Sequence, residues 1–327
     1  MQDQARLGDE RGLVGLQRLA PPKGHRNRES QAFTLCWIRH PPGSACDEEK
    51  RWEAIAKSLP EAPGECRANA KELRKRLRKL SPGQRPVGDS DEECPKVYLT
   101  IDINDSLAAY ERGKEFVKAK SLAYNLSSDD VTKLGGSELA RLPALYASDY
   151  DFNSKGRAQF RKPRTRIVVE IFRKTAPLCS QNWLCLVTGK GVQGEPLPKG
   201  KSGKLLRYHG CPFHRIISNF VAQGGDFVTH NGTGGESIWG KKFKDDPAAL
   251  KVDCDRVGLL GMCNSGKNSN TSQFFFSLAA NKKIRGKHCI FGRIIEGFDV
   301  LAMMSACGDA EGHVEVPVVL SSCGLID

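Results

Sequence analysis

The spacing of apolar residues changes character near position 97 of this 327-residue chain. Upstream, apolar positions are sparse. Residues 1–45 are rich in Arg, Gln, Pro and Gly, with Pro-Pro at 21–22 and 41–42, and read as a disordered tail. Residues 47–58 (DEEKRWEAIAKS) read as a short helix led by acidic residues, which suit a helix N-terminus. Residues 67–80 (RANAKELRKRLRKL) read as a second, basic helix in which Leu73, Leu77 and Leu80 form one narrow stripe. Pro82-Gly83 ends it, and 81–94 is a polar, acidic linker.

Beyond this point a period of two takes over. The runs 97–103, 166–172, 213–217, 221–225, 258–263, 272–278, 289–295 and 316–323 predict eight strands. Helices are expected at 178–187, opened by Pro177 in the favoured first position, and at 298–306. The stretch 106–163 breaks the strand pattern. Ser106 is placed to cap a helix running to about 123, Gly135-Gly136 is read as the stop of a second short helix, and Ser137 as the start of a third. The fold class expected is mainly β, a sandwich or closed barrel with few helices. A partly disordered extension at 1–94 precedes a β domain at 95–327, itself interrupted by an insertion at 106–163.

Composition narrows the function. The net charge of +12 is spread along the chain rather than concentrated, which favours acidic partners weakly. The seven basic residues of the 67–80 helix could meet phosphates, but no aromatic residues interleave for base stacking, so a solvated face or a partner helix is the better reading and nucleic acid is not expected. No run of eighteen apolar residues suggests a membrane span, and the first thirty residues show no apolar core of a secretory signal. The twelve cysteines are scattered without a C-x-x-C pair. They are read as free thiols in a reducing compartment, cytoplasmic or nuclear, and no metal site or cofactor is expected.

Two nucleotide-like motifs fail on context. Gly189-x-Gly191-x-x-Gly194 follows a predicted helix rather than a strand, and Gly194 to Gly200-Lys201-Ser202 has five intervening residues that include Pro196 and Pro198. The informative stretch is 213–227, FHRIISNFVAQGGDF. Arg215 stands in an apolar strand, either as a surface cation or facing a site. This stretch is followed in order by HNGTGGESIWG (230–240), GMCN (261–264), NTSQFF (270–275) and GKHCIFG (286–292).

Together these motifs resemble the cyclophilin family over 97–103 and 166–327. The resemblance implies an eight-stranded antiparallel barrel capped by two helices and cis–trans isomerisation of X-Pro peptide bonds without metal or cofactor. It implies that Arg215 is the catalytic arginine, and that Phe220, Val221 and Phe275 seat the proline ring, with Val221 where methionine is usual. It implies that Gln223 and Asn264 hold the substrate backbone, that Gln273 lies in the groove, and that His288 and Ile284 form the pocket wall. Two departures stand out: Cys263 replaces a small alanine, and Lys283 replaces a rim tryptophan, so weak cyclosporin binding is expected. The expected partners are proline-containing peptides or proteins, with a protein partner for the N-terminal helices or the insertion, and the chain is expected to be monomeric. A catalytically weak proline-peptide binding module is the alternative function.

Overall fold

A computed structural model describes residues 94–326. The tail, the helices expected at 47–58 and 67–80, and the linker up to residue 93 lie outside the described residues. Among the described residues there are nine strands: β1 (Lys96–Ile103), β2 (Arg166–Ile171), β3 (Cys211–Pro212), β4 (Arg215–Ile217), β5 (Val221–Gly224), β6 (Leu259–Met262), β7 (Phe274–Ser277), β8 (Ile290–Glu296) and β9 (Val318–Ile326). They form one curled antiparallel sheet in the order β3-β9-β1-β2-β8-β6-β7-β5-β4.

The count is nine rather than eight because the run expected as a single strand at 213–217 begins earlier and is split. Cys211 and Pro212 pair with β9, whereas Arg215–Ile217 pair with β5. Only Phe213 and His214 separate the two pieces, and Phe213 N donates to Val318 O at 2.8 Å, extending the β3–β9 ladder. One bent segment therefore supplies both outer strands of the sheet.

Alternation along the strands sorts two apolar layers. Val97, Leu99 and Ile101 of β1, Ile216 of β4, Ala222 of β5, Leu260 and Met262 of β6, and Phe274 and Phe276 of β7 face the main core. Two helices complete it: α3 (Pro177–Thr188), through the fully buried Trp183, and α4 (Phe298–Ser305), through Val300, Leu301 and Met304. The opposite set, Val221, Leu259, Phe275 and Ile290, joins Cys254 and Ile284 in a smaller cluster on the other face.

Between β1 and β2 the chain forms α1 (Ser106–Lys120) and α2 (Gly136–Ser148) with two short 3-10 turns. Tyr110, Phe116, Leu142, Tyr146, Phe152 and Phe160 make a cluster of their own, separate from the main core. Phe116 is its hub, with ring centroids 5.2–6.0 Å from Tyr124, Tyr146, Phe152 and Phe160. Two local expectations are corrected here. The carboxylate that serves the start of α1 is Asp102, which accepts from Ser106 Oγ and Leu107 N, and the helix ends at Lys120 rather than near 123. The helix break expected at Gly135-Gly136 is present: the 3-10 turn Val131–Lys133 ends before it and α2 starts at Gly136, one residue ahead of Ser137, where Glu138 reaches back to accept from Gly135 N (3.0 Å) and from Ser127 N (2.7 Å). These bonds satisfy an otherwise unpaired donor at the helix start.

Candidate active site

The register of the sheet lines up one row of outward-facing positions. Arg215 of β4 stands opposite Gln223 of β5, Gln223 opposite Phe275 of β7, and Phe275 opposite Gly261 of β6. The arginine is exposed on an outer strand, as its surface reading expected, yet it is tied into this row: Arg215 Nη1 donates to Gln223 Oε1 at 3.1 Å. On its other side the Gln223 amide N–H points to Cys263 Sγ at 3.5 Å. Cys263 is half-buried, and burial pushes its thiol up to about 12, so it is a neutral packing group rather than a nucleophile.

Beside this polar row lies an apolar basin. Phe275, Val221, Ile284, Leu259 and Ile290 form its floor, with Phe220 and Cys263 packed at the margin. The ring of Phe275 occupies the space over residue 261 because that residue is glycine: a Cβ there would come within 2.4 Å of Phe275 Cζ. Phe220 closes the tight β4–β5 connection, with its N–H donating to Ile217 O and its carbonyl accepting from Leu278 N. Asn219 takes the left-handed conformation this turn requires (φ 58°). His288 meets Phe275 edge-on at 5.8 Å, and its Nδ1 is 3.0 Å from Met262 O. A carbonyl can only accept, so Nδ1 carries the hydrogen. Burial lowers the His288 pKa below its ordinary value, and the ring is neutral against the basin.

The remaining expected residues are braces as much as lining. The amide N–H groups of Gln273 donate to Gly232 O (2.9 Å) and Gly234 O (2.6 Å). That loop is also held by the buried Asp226, which accepts from the N–H groups of Val228, Thr229, Gly232 and Gly234 and from the Thr229 hydroxyl. Burial alone would raise the Asp226 pKa, but these bonds hold it far below the carboxylate range. Asn264 Nδ2 donates to Lys287 O at 2.8 Å and joins two loops. Lys283 is exposed next to the buried Ile284, on the turn Lys282–Ile284. The sheet and its turns thus bring Arg215, Phe220, Val221, Gln223, Cys263, Phe275, Ile284 and His288 to one face.

Some neighbours were not legible in the sequence. Cys254, Leu259 and Ile290 belong to the floor, and the alternation of β6 and β8 could have indicated the last two. The loop 308–313 packs against β4. Gly312 (φ 97°) accepts from Ile216 N through its carbonyl, and a Cβ on it would fall 2.9 Å from Arg215 Cγ. Asp309 fastens this loop by accepting from Gly312 N and His313 N. Nothing local in the sequence brings residue 312 to residue 215.

Among the described residues no helix is long and apolar enough to cross a membrane. The family model for cyclophilin type peptidyl-prolyl cis-trans isomerase/CLD matches residues 158–325. The chain belongs to this family.

Proposed function

We propose that the protein is a peptidyl-prolyl cis–trans isomerase that needs no cofactor. The observation that carries this reading is the pairing of Arg215 with Gln223 directly beside the Phe275 basin. Rotation about a peptide bond meets a barrier of about 18–20 kcal/mol because resonance makes it partly double. For X-Pro bonds the two isomers are close in energy but exchange over tens of seconds or more. No bond is made or broken, so the catalyst has only to hold the twisted amide more tightly than either planar form.

The residues divide that task. The basin formed by Phe275, Val221, Phe220 and Ile284, walled by His288, is an apolar seat for the pyrrolidine ring. Twisting localises a lone pair on the prolyl nitrogen, and the Arg215 guanidinium offers several N–H donors to meet it while binding a substrate carbonyl. Gln223 and Asn264 anchor the main chain on one side so that the other side turns. Gln223 also positions the guanidinium before substrate arrives. Each tenfold in rate needs about 1.4 kcal/mol of differential binding.

The deciding experiment is cis/trans exchange of a short X-Pro peptide. Wild-type protein should accelerate exchange, and Arg215→Ala should lose about a hundredfold or more, the scale of one preorganised donor, with an unchanged fold by circular dichroism. A folded Arg215→Ala protein with the wild-type rate would leave only a proline-binding module.

A further inference from the structure

Three segments border this site, and all three carry cations without a single acid: 241–244 (KKFK), 264–269 (NSGKNS) and 281–288 (NKKIRGKH). They are linked in series to one another and to the basin. Asn264 links to the Lys287 carbonyl, Lys242 Nζ lies 3.4 Å from Ser265 Oγ, and the third segment supplies Ile284 and His288 themselves. Lys242, Lys267, Lys282, Lys283 and Lys287 are exposed, and among the described residues none of them is ion-paired. Acids on the adjoining segments are already engaged. Asp245 accepts from Asn268 N and Asn270 Nδ2, Asp253 pairs with Arg285 at 3.1 Å, and Asp255 pairs with Arg256.

We infer that this collar selects substrates by charge, and that the peptides turned over best carry an acidic side chain, carboxylate or phosphate, flanking the proline. The inference rests on the isomerase reading above. The basin accepts a proline ring whatever its neighbours are, so discrimination falls to the border. Unpaired lysines on segments that adjoin the basin raise the positive potential there. A substrate anion lowers that potential, whereas a basic substrate adds to it, so attraction and rejection act in the same direction. Peptide is favoured over nucleic acid because Phe275 and His288 are packed into the basin, Phe220 is half-buried at its margin, and Trp239 is stacked edge-on against Phe243 at 5.1 Å. Among the described residues of this site no aromatic ring is fully exposed as a stacking platform for bases.

The test compares kcat/KM for peptides that differ only beside the proline, where Glu, phosphoserine, Gln or Lys is placed. The Glu and phosphoserine peptides should exceed the Gln peptide by about tenfold, with the Lys peptide below it, since several partly exposed pairs act together. The spread should collapse near 1 M salt, where the screening length falls to ~3 Å. A larger gain for phosphoserine assigns phosphate as the preferred group, and equal gains show that a carboxylate suffices. Either result supports the collar. The double charge reversal Lys267→Glu with Lys287→Glu should invert the order. Turnover of the Gln peptide with a flat charge series would overturn the collar alone, whereas no turnover of any peptide would overturn the isomerase reading beneath it. Inhibition by a short single-stranded RNA at lower concentration than by the Glu peptide would assign the collar to nucleic acid instead.

Discussion

Lys283 stands on a turn whose first N–H groups are capped by Asn281, with the buried Ile284 holding its backbone in place. Its side chain is free to lay its methylenes along the basin, but the ammonium stays in water. A tryptophan at this place would offer a ring and an N–H donor. Cyclosporin should therefore bind the wild type weakly, and Lys283→Trp should tighten it by roughly a hundredfold, for the aromatic contact and hydrogen bond gained. Titration of both proteins checks this, and tight wild-type binding would refute the argument. Two histidines make a separate prediction about pH. Burial lowers the pKa of both His214 and His288 from the ordinary 6.5. Below that value the unfolded chain takes up protons that the folded one refuses, so the unfolded state gains. Stability should be complete above about pH 6.5 and fall as pH drops through the window below it, with a limiting slope of about 1.4 kcal/mol per pH unit for each histidine. Urea midpoints at pH 7.5 and 5.5 measure the loss, and an unchanged midpoint would show that neither ring is kept neutral.

The insertion between β1 and β2 carries its own aromatic cluster, whereas the β strands on either side of it pair directly, from Lys96 opposite Glu170 to Thr100 opposite Arg166. Ile101 N still reaches Thr165 O at 2.7 Å, so the strand ends lie close enough for a tight connection. Replacing 104–162 with a short turn should leave a folded, active barrel, checked by thermal melting and the exchange assay. Aggregation of that variant would show that the helices complete the core. The elements were legible where burial imposes a period. Strand positions at 97–103, 221–225 and 289–295, and the helix opened by Pro177, follow from alternation and from proline's fixed φ. Those misread depend on partners distant from the local pattern. Which side chain serves the start of α1 is decided by Asp102 at the end of β1, and the division of 211–217 is decided by β9 on one side and β5 on the other. At the site, the ordered motifs led to Arg215, Gln223 and Phe275, whose alignment the register displays. The approach of Gly312 to Arg215 depends on the fold as a whole, which no window of sequence contains.

At the scale of the molecule, the match to the family begins at residue 158, yet β1 lies upstream of it, between β2 and β9 in the sheet. Val97, Leu99 and Ile101 are fully buried there. Burying three such side chains contributes about 5–9 kcal/mol, comparable with the whole stability of a small domain. A fragment of residues 158–327 should therefore be unfolded or insoluble, while one of residues 94–327 should fold. Circular dichroism and amide exchange distinguish them, and a folded shorter fragment would show that β1 is dispensable.

The aromatic cluster of the insertion also bears on how quickly the barrel is made. Bringing β1 to β2 across a structureless stretch as long as 104–165 costs about 2 kcal/mol more chain entropy than closing a four-residue turn, because the cost rises with the logarithm of length. Contacts around Phe116 are local, and a segment that collapses on them first draws Ile103 and Arg166 together before any strand has paired. The central hairpin then closes as though its loop were short, and the sequence separation between β1 and β2 overstates the search that folding has to make.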